Sequence, residues 1–160
     1  MSYLLFTEIL HFLGALALFL LFLRFYKWYI AGFSFLFGFL IDVDHLFDYF
    51  YFMKFFNRGF NLRDFLSAQS VTTGKIFIPF HGWEWVVLLL LLALLFRALL
   101  NSGTLKKDFW KILAQILFVA GTSLFTHILT DYFTNEVGFG AYSFFWRWSN
   151  GFYTSLICGK

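Results

Sequence analysis

Between Glu84 and Arg97 the chain runs through twelve consecutive apolar residues, with no charge and no proline. A helix formed by such a run has no polar face, so it must be buried on all sides or surrounded by lipid. Three other stretches are comparable in length or hydrophobicity, and roughly 20 residues cross a hydrocarbon core of about 30 Å. The sequence therefore predicts an all-α, four-helix transmembrane bundle, with helices over residues 3–23, 28–48, 79–100 and 109–130.

The composition supports this class. Of the 160 residues, 61% are hydrophobic and only 13% are charged, whereas soluble domains carry about 25% charged residues. The net charge of +3 is spread along the chain, without the Lys/Arg block that nucleic-acid binding requires. Cys158 is the only cysteine, which excludes an intrachain disulfide. We expect a single integral membrane domain over residues 1–160, with membrane lipid as partner, no nucleic acid, and a homo-oligomer or larger membrane complex as its assembly.

Segments outside the four helices also have predicted places. The first helix carries Glu8 and His11 and lacks a preceding basic region, so it is not expected to be a cleaved signal peptide. Residues 49–78 mix aromatic with charged side chains, and we expect an interfacial helix followed by a loop. The tail after Asp131 is too polar to span but rich in aromatic residues. It is expected to lie along the membrane surface and cover the end of the bundle.

The second helix is unusual because its apolar part is short. Residues 28–41 give 14 residues, or about 21 Å at 1.5 Å per residue, which is less than the hydrocarbon core. To complete the crossing, the helix must carry polar residues to the membrane boundary. They are Asp42, Asp44, His45 and Asp48.

The distribution of charge predicts an orientation. The two short turns, after helix one and between helices three and four, are basic: Arg24, Lys27, Arg97, Lys106, Lys107 and Lys111. By the positive-inside rule this end is cytoplasmic. All four histidines, and every acid except Asp108, fall at the opposite end. We therefore expect the polar groups on the exoplasmic side.

Each predicted helix brings imidazole or carboxylate groups to that end. Two like charges 4 Å apart repel by about 4 kcal/mol at an effective dielectric near 20, so this crowding needs compensation. Basic side chains could supply it as surface ion pairs, but a divalent cation neutralises interleaved imidazoles and carboxylates directly. The groups are His11 from helix one, Asp42, Asp44, His45 and Asp48 from helix two, His81 and Glu84 from helix three, and His127 and Asp131 from helix four.

Simpler explanations exist for each group taken alone. A histidine one turn from an aspartate, as in His127 and Asp131, is a common hydrogen-bonded pair on helices. Asp42 could cap a helix end, and His11 could bond to a serine or threonine of another helix. The convergence of four helices on one end favours a metal site over these separate explanations.

Three motifs carry a resemblance to a known family. They are Asp42-Val43-Asp44-His45, the upstream His11, and His127-Ile128-Leu129-Thr130-Asp131. In these the chain resembles bacterial inner-membrane proteins known as membrane-bound metal-dependent hydrolases, the YdjM-like family, from His11 to about Trp148. That family looks related to the zinc-dependent phospholipase C and single-strand nuclease superfamily. The resemblance implies a phosphoester hydrolase in a bacterial inner membrane.

The chain departs from the family pattern at two places. Ile41 stands where the family has proline before its first aspartate. The family's middle motif, His-Arg-Gly-x-x-His-Ser, is reduced here to His81-Gly82-Trp83-Glu84. Glu84 is expected to replace the missing histidine, and the number of bound ions is left open.

The sequence thus predicts a membrane-embedded hydrolase of a lipid phosphoester. The ion is zinc, with manganese or iron as alternatives, in one to three copies. A carboxylate, Glu84 or Asp48, would accept the proton of the attacking water. The metal ligands are predicted to be His11, Asp42, Asp44, His45, His81, His127 and Asp131, and the phosphate-binding cations Arg58, Arg63, Lys75 and Arg147.

Two other functions remain as alternatives. The chain could be a non-catalytic metal- or lipid-binding subunit in which the polar cluster only fixes helix packing. An ion-coupled transporter fits less well, because alternating access needs polar groups near the membrane centre. Residues 86–96 and most of residues 112–118 are apolar.

Overall fold

The structure is a computed structural model that describes residues 3–66, 69–105, 108–135 and 138–153. Within these ranges the chain is helical, apart from one β-bridge between Lys75 and Tyr153. Three short 3-10 helices span Leu40–Asp44, Gln69–Thr73 and Phe139–Tyr142. The α-helices are α1 (Tyr3–Phe22), α2 (Trp28–Ala31), α3 (Phe33–Gly38), α4 (His45–Phe56), α5 (Leu62–Leu66), α6 (Trp83–Asn101), α7 (Asp108–Thr134) and α8 (Phe144–Ser149).

Two of these helices, α6 and α7, are long and apolar enough to cross a membrane. The helices over Trp28–Gly38 and Leu40–Phe56 make a third crossing if the bent pair is counted as one span. The apolar part of α1 over Phe6–Phe22 is shorter than these. The all-helical class is therefore confirmed for the described residues, which contain two to three candidate membrane spans, and the predicted bundle of four crossings is not confirmed.

The long helix α7 is the centre of the structure and packs against α1, α3 and α6. Its buried residues form two apolar clusters, one around Val119 with Phe22 and Ile30, and one around Leu124 and Ile128. Gly121 lies between them, where α7 meets α6. A Cβ atom placed there would lie 2.9 Å from Cγ of Leu90. The glycine thus permits the close approach of the two helices.

Replacing Gly121 by alanine should lower the free energy of unfolding by about 1–3 kcal/mol, the usual cost of overpacking. Gly14→Ala in α1 is the matched control, because its Cβ would meet only Thr126 Cγ2 at 3.7 Å, an ordinary contact. Alanine also favours helix over glycine by up to about 1 kcal/mol. Chemical denaturation in detergent measures both changes. A neutral Gly121→Ala variant would contradict the packing described here.

The second predicted helix, over residues 28–48, is broken in the structure, which corrects the prediction of one continuous rod. It consists of α2, α3, the 3-10 helix Leu40–Asp44 and α4, with a bend of 48° between its halves. At the break Phe39 has φ −136° and ψ −51°, outside the helical region. The break places Asp42 and Asp44 on a tight turn whose side chains reach the interior of the bundle.

The third and fourth helices also differ from prediction at their ends. Helix α6 begins at Trp83 instead of residue 79, so Pro79 lies in the turn that precedes the helix, together with His81. Helix α7 continues to Thr134, one turn beyond the predicted end. Lys106 and Lys107, assigned to the basic turn, lie outside the described residues.

The segments between and after the long helices cover the end of the bundle where α6 begins. The predicted interfacial region is formed by the last turns of α4, by α5 and by the 3-10 helix Gln69–Thr73. In the tail, Ala141 and Tyr142 join the core cluster around Leu124, whereas Phe145 and Trp148 of α8 are exposed. The part of the predicted tail after residue 153 lies outside the described residues.

Candidate metal centre

Four segments of the chain bring imidazole and carboxylate side chains together beneath the covering segments. Most of these side chains are buried, and Asp42 and His45 are partly exposed. They come from α1, from the 3-10 helix and the start of α4, from the turn before α6, and from α7. The six residues are His11, Asp42, His45, His81, His127 and Asp131.

Four atoms meet at the centre of this cluster. Nε2 of His81 and Nε2 of His127 lie 2.9 Å apart. Oδ1 of Asp42 is 3.1 Å from the first nitrogen and 3.4 Å from the second, and Oδ2 of Asp131 is 3.8 and 3.3 Å from them. Tetrahedral ligands about 2.0–2.1 Å from a zinc ion lie about 3.3–3.4 Å from one another. The five distances lie on both sides of this value, and His81, His127 and Asp131 form one group that could hold an ion, with ligand atoms within 4.8 Å of one another.

Two further sets of ligand atoms overlap this one. His11 with Asp42 and His127, and Asp42 with His45 and His81, each offer three atoms within 4.8 Å of one another. His11 lies between the carboxylates, with Nδ1 3.3 Å from Asp42 Oδ2 and Nε2 3.3 Å from Asp131 Oδ1. The three groups share Asp42, His81 and His127, so they form one connected cluster.

The two central histidines are oriented by partners behind them. Nδ1 of His127 lies 3.2 Å from the carbonyl oxygen of Gly38, and Nδ1 of His81 lies 3.1 Å from Oδ2 of Asp44. A carbonyl or an ionised carboxylate only accepts hydrogen bonds, so each Nδ1 donates. Both Nε2 atoms then face the centre. This is the arrangement in which metal-binding histidines are held in other proteins.

The facing nitrogens require positive charge at the centre. Neutral rings with Nδ1–H would present two lone pairs to each other across 2.9 Å. Burial would lower the pKa of His81, but hydrogen bonds to Asp42 and Asp44 raise it to about 9. Either a proton or a bound cation meets this requirement. A cation that binds here must displace protons, as metals generally do at imidazole ligands.

Asp44 differs from Asp42 in its position, although both were predicted as ligands. Its carboxylate accepts hydrogen bonds from His81 and from the backbone N–H of Phe80, 2.9 Å from Oδ2. It therefore lies behind His81 and orients the ring, whereas Asp42 faces the centre.

Replacing Asp44 by asparagine should lower the affinity for zinc about 10- to 100-fold, the usual effect of losing a partner behind a metal-binding histidine. The amide keeps the shape but not the charge, so His81 Nδ1 loses its ionised acceptor. Competition with a chromophoric zinc chelator measures the change. Asp64→Asn on α5, outside the groups of candidate ligands, is the control and should leave affinity unchanged. Equal affinities in both variants would contradict the role given to Asp44.

The two predicted proton acceptors are engaged elsewhere. Asp48 accepts a hydrogen bond from the backbone N–H of Phe77. Glu84 accepts from the hydroxyl of Ser143 and from the backbone N–H of Phe144 and of Phe145, 3.1 and 3.3 Å away. Glu84 is thus an acceptor for the start of α8. Neither carboxylate faces the centre of the cluster.

The four predicted phosphate-binding cations lie in different surroundings. Arg147 is fully buried and donates to the backbone carbonyls of Ile78, His81 and Ala141. It holds the turn that carries His81, and it is not on a surface that a substrate could reach. Arg58 and Arg63 are exposed, the former 5.9 Å from the Phe56 ring. Lys75 lies 5.1 Å from the ring of Tyr153.

Three contributors were missing from the predicted set of site residues. The Gly38 carbonyl, which orients His127, has no side-chain signal in a sequence. Asn135 donates from Nδ2 to Asp131 Oδ1 at 3.1 Å, and its position one turn after Asp131 was the available sign. Glu8, three residues before His11, interacts electrostatically with Asp42, His11, His127 and Asp131.

The comparisons with known proteins add no assignment. The chain matches no protein-family model, no curated protein and no solved structure.

Proposed function

We propose that this protein is a membrane-embedded, metal-dependent hydrolase that acts on a lipid phosphoester. The observation that carries the proposal is the convergence of two imidazole nitrogens and two carboxylate oxygens in one cluster, with both imidazoles oriented from behind. Ionisable groups buried in a membrane protein are costly and serve function by default. A purely structural cluster has no need for ligand atoms that face one another.

The donor set fits zinc best, with manganese or iron as alternatives. His81, His127, Asp42 and Asp131 would hold the first ion, and His11 or His45 would complete a second site. Zinc supplies Lewis acidity, which lowers the pKa of a bound water to about 7 and polarises a phosphoryl oxygen. Asp44 and the Gly38 carbonyl keep the two Nε2 atoms directed at the ion.

One side of the cluster is partly exposed. The side chain of Asp42 is 19% exposed and that of His45 is 44% exposed. Leu40, Val43 and Phe47 flank them, and all three are exposed apolar side chains. A phosphate group that enters beside His45 would leave its acyl chains against this apolar surface. This is the support for a lipid substrate.

Asp48 and Glu84 accept hydrogen bonds from backbone N–H groups. The proton acceptor must therefore be another residue. We assign it to His45, whose Nε2 lies 3.6 Å from Asp42 Oδ1 at the open edge of the cluster. An imidazole within reach of the attacking water can take its proton near neutral pH. Arg58, Arg63 and Lys75 remain predicted to hold the phosphate.

For the membrane arrangement we propose four crossings, with α1 as the fourth beside α6, α7 and the bent helix. The basic turns would be cytoplasmic, which directs the cluster to the exoplasmic side of a bacterial inner membrane. The bacterial inner membrane is also implied by the resemblance to the YdjM-like family.

The test is hydrolysis by the purified full chain in vesicles that contain a lipid phosphoester, followed by release of phosphate or of the lipid alcohol. A chelator should abolish turnover, and stoichiometric zinc should restore it. Turnover that persists without bound metal would contradict the mechanism. Absence of turnover on mono- and diester lipids by fully loaded protein would reject the hydrolase.

A second function is favoured by one feature of the structure. The carboxylates of Asp48 and Glu84 and the guanidinium of Arg147 all hold backbone segments, so the surrounding polar groups fix helix packing. In a non-catalytic metal- or lipid-binding subunit, the loaded protein would bind zinc without turnover. Replacing cluster residues would then lower zinc binding and stability, with no turnover to lose.

A further inference from the structure

A cavity lies between the last turns of α6 and the first turns of α7, remote from the cluster of histidines and aspartates. It is bounded by the last turns of α6, the first turns of α7 and Tyr26 in the turn after α1. Its volume is about 390 Å³, within the roughly 300–1,000 Å³ of sites that hold small ligands. The cluster lies instead at the start of α6 and the end of α7, so the two sites occupy opposite ends of the same helix pair.

The cavity exists because small side chains face each other. Ala93 of α6 and Ala114 of α7 are buried and form its apolar floor. Leu94 and Phe118 line its sides and are exposed, so the cavity is open to the surroundings of the bundle. On helices long enough to cross a membrane, those surroundings are lipid.

The rim of the cavity is positively charged. Arg97 and Lys111 both line it and are exposed, and neither makes an ion pair with any residue in the described ranges. Gln115, deeper in the cavity, makes no side-chain hydrogen bond to those residues either. Asp108 begins α7 one turn before Lys111 but does not line the cavity. Two cations and an amide thus face an open, apolar-floored space.

The depth of these cations matches that of lipid phosphates. Arg97 is four residues before the end of α6 and Lys111 three residues after the start of α7. At 1.5 Å per residue, they lie about 6 and 4.5 Å from the helix ends. Basic pockets between membrane helices bind acidic lipid head groups.

We propose that this cavity binds one anionic phospholipid. The phosphate accepts hydrogen bonds from Arg97 and Lys111, Gln115 donates to an ester or glycerol oxygen, and the acyl chains follow Leu94 and Phe118 towards the membrane centre. The site is separate from the proposed hydrolase centre and requires no metal. It makes the lipid a structural or regulatory ligand of this end of the bundle.

The test uses the purified full chain in neutral detergent, titrated with phosphatidylglycerol and with phosphatidylcholine of the same chain length. Native mass spectrometry counts the bound lipids. We expect one phosphatidylglycerol bound tightly, with phosphatidylcholine at least about tenfold weaker. The double variant R97Q/K111Q should bind phosphatidylglycerol at least about tenfold more weakly, equivalent to about 1.4 kcal/mol.

The control is R24Q/K27Q, which removes the same charge from exposed residues of the neighbouring turn that do not line the cavity. It should change affinity by less than about twofold. An equal loss in both double variants would overturn the site in favour of general surface charge. Unchanged binding in R97Q/K111Q, or displacement of the lipid by millimolar inorganic phosphate alone, would overturn the proposal as well.

Discussion

His127→Ala is expected to abolish stoichiometric zinc binding and, with it, phosphoester hydrolysis. Nε2 of His127 is one of the four central atoms, within 3.4 Å of His81, Asp42 and Asp131. A four-ligand structural zinc site contributes about 10–16 kcal/mol. The loss of one ligand of four therefore costs about 2.5–4 kcal/mol, or about 100-fold or more in affinity.

Metal content after dialysis against a weak chelator, measured by mass spectrometry of the elements, provides the readout. Ser123→Ala is the matched control, since Ser123 is buried on the same helix one turn earlier and offers no strong ligand. It should retain wild-type zinc and turnover. Circular dichroism and gel filtration check that both variants remain helical and assembled.

The same pair of variants separates the two candidate functions. A folded His127→Ala protein that loses zinc and turnover supports the hydrolase. Zinc loss with destabilisation, in a chain whose wild type shows no turnover, supports the non-catalytic subunit. Zinc retained in His127→Ala would contradict both, because the central atoms would then not be the ligands.

The approximate positions of the long helices along the chain could be predicted from the sequence, because runs of apolar residues specify them. The apolar run between Glu84 and Arg97 predicts α6, because in surroundings without water its backbone groups must form hydrogen bonds within a helix. The break after Gly38 was not accessible in this way, since a bent helix and a straight one bury the same apolar residues. Only packing against α1 and α7 decides between them. There a Cβ on Gly38 would lie 3.3 Å from Ala15 Cβ.

The types of residue in the candidate site could be predicted from the sequence, but their arrangement could not. His127 and Asp131 lie one turn apart on a helix, which predicts a shared face. Asp42 faces the centre of the cluster, whereas Asp44, two residues later, lies behind His81. This difference depends on how the 3-10 helix is oriented against a loop 36 residues away. Sequence spacing carries no information about that contact.

For the residues predicted to act on substrate, too, sequence spacing did not predict the contacts they make. Glu84 lies close in sequence to His81 but reaches the start of α8, about 60 residues further along the chain. Charge and proximity in sequence favoured a catalytic role, whereas the fold uses the carboxylate to satisfy backbone N–H groups. Such long-range hydrogen bonds form only when the tail packs over the bundle end.

Arg147→Met should lower the free energy of unfolding by about 3–5 kcal/mol, among the largest effects of any single substitution outside the cluster. Arg147 is 0% exposed, and its Nη atoms donate to the carbonyls of Ile78 and His81, both at 2.9 Å, and of Ala141. Each buried carbonyl left without a partner costs about 1–3 kcal/mol. Methionine fills much of the volume but donates nothing.

Chemical denaturation in detergent measures the loss, and Arg58→Met in the turn after α4 is the control. Arg58 is exposed and lies 5.9 Å from the Phe56 ring, so its replacement should cost less than about 1 kcal/mol. Equal stability of the two variants would contradict a clamping role for Arg147.

Zinc affinity distinguishes a clamp from a general stabiliser. Arg147 binds the carbonyl of His81 itself and that of Ile78 three residues earlier, so it fixes the turn that aims Nε2 at the cluster. Lysine keeps the charge, but its single ammonium cannot reproduce the planar fork that reaches carbonyls of two segments. Arg147→Lys should therefore weaken zinc binding, by about tenfold or more, even where the bundle remains folded. A variant destabilised outside this turn, such as Gly121→Ala, should keep its affinity, because there the loss of stability leaves the orientation of His81 unchanged.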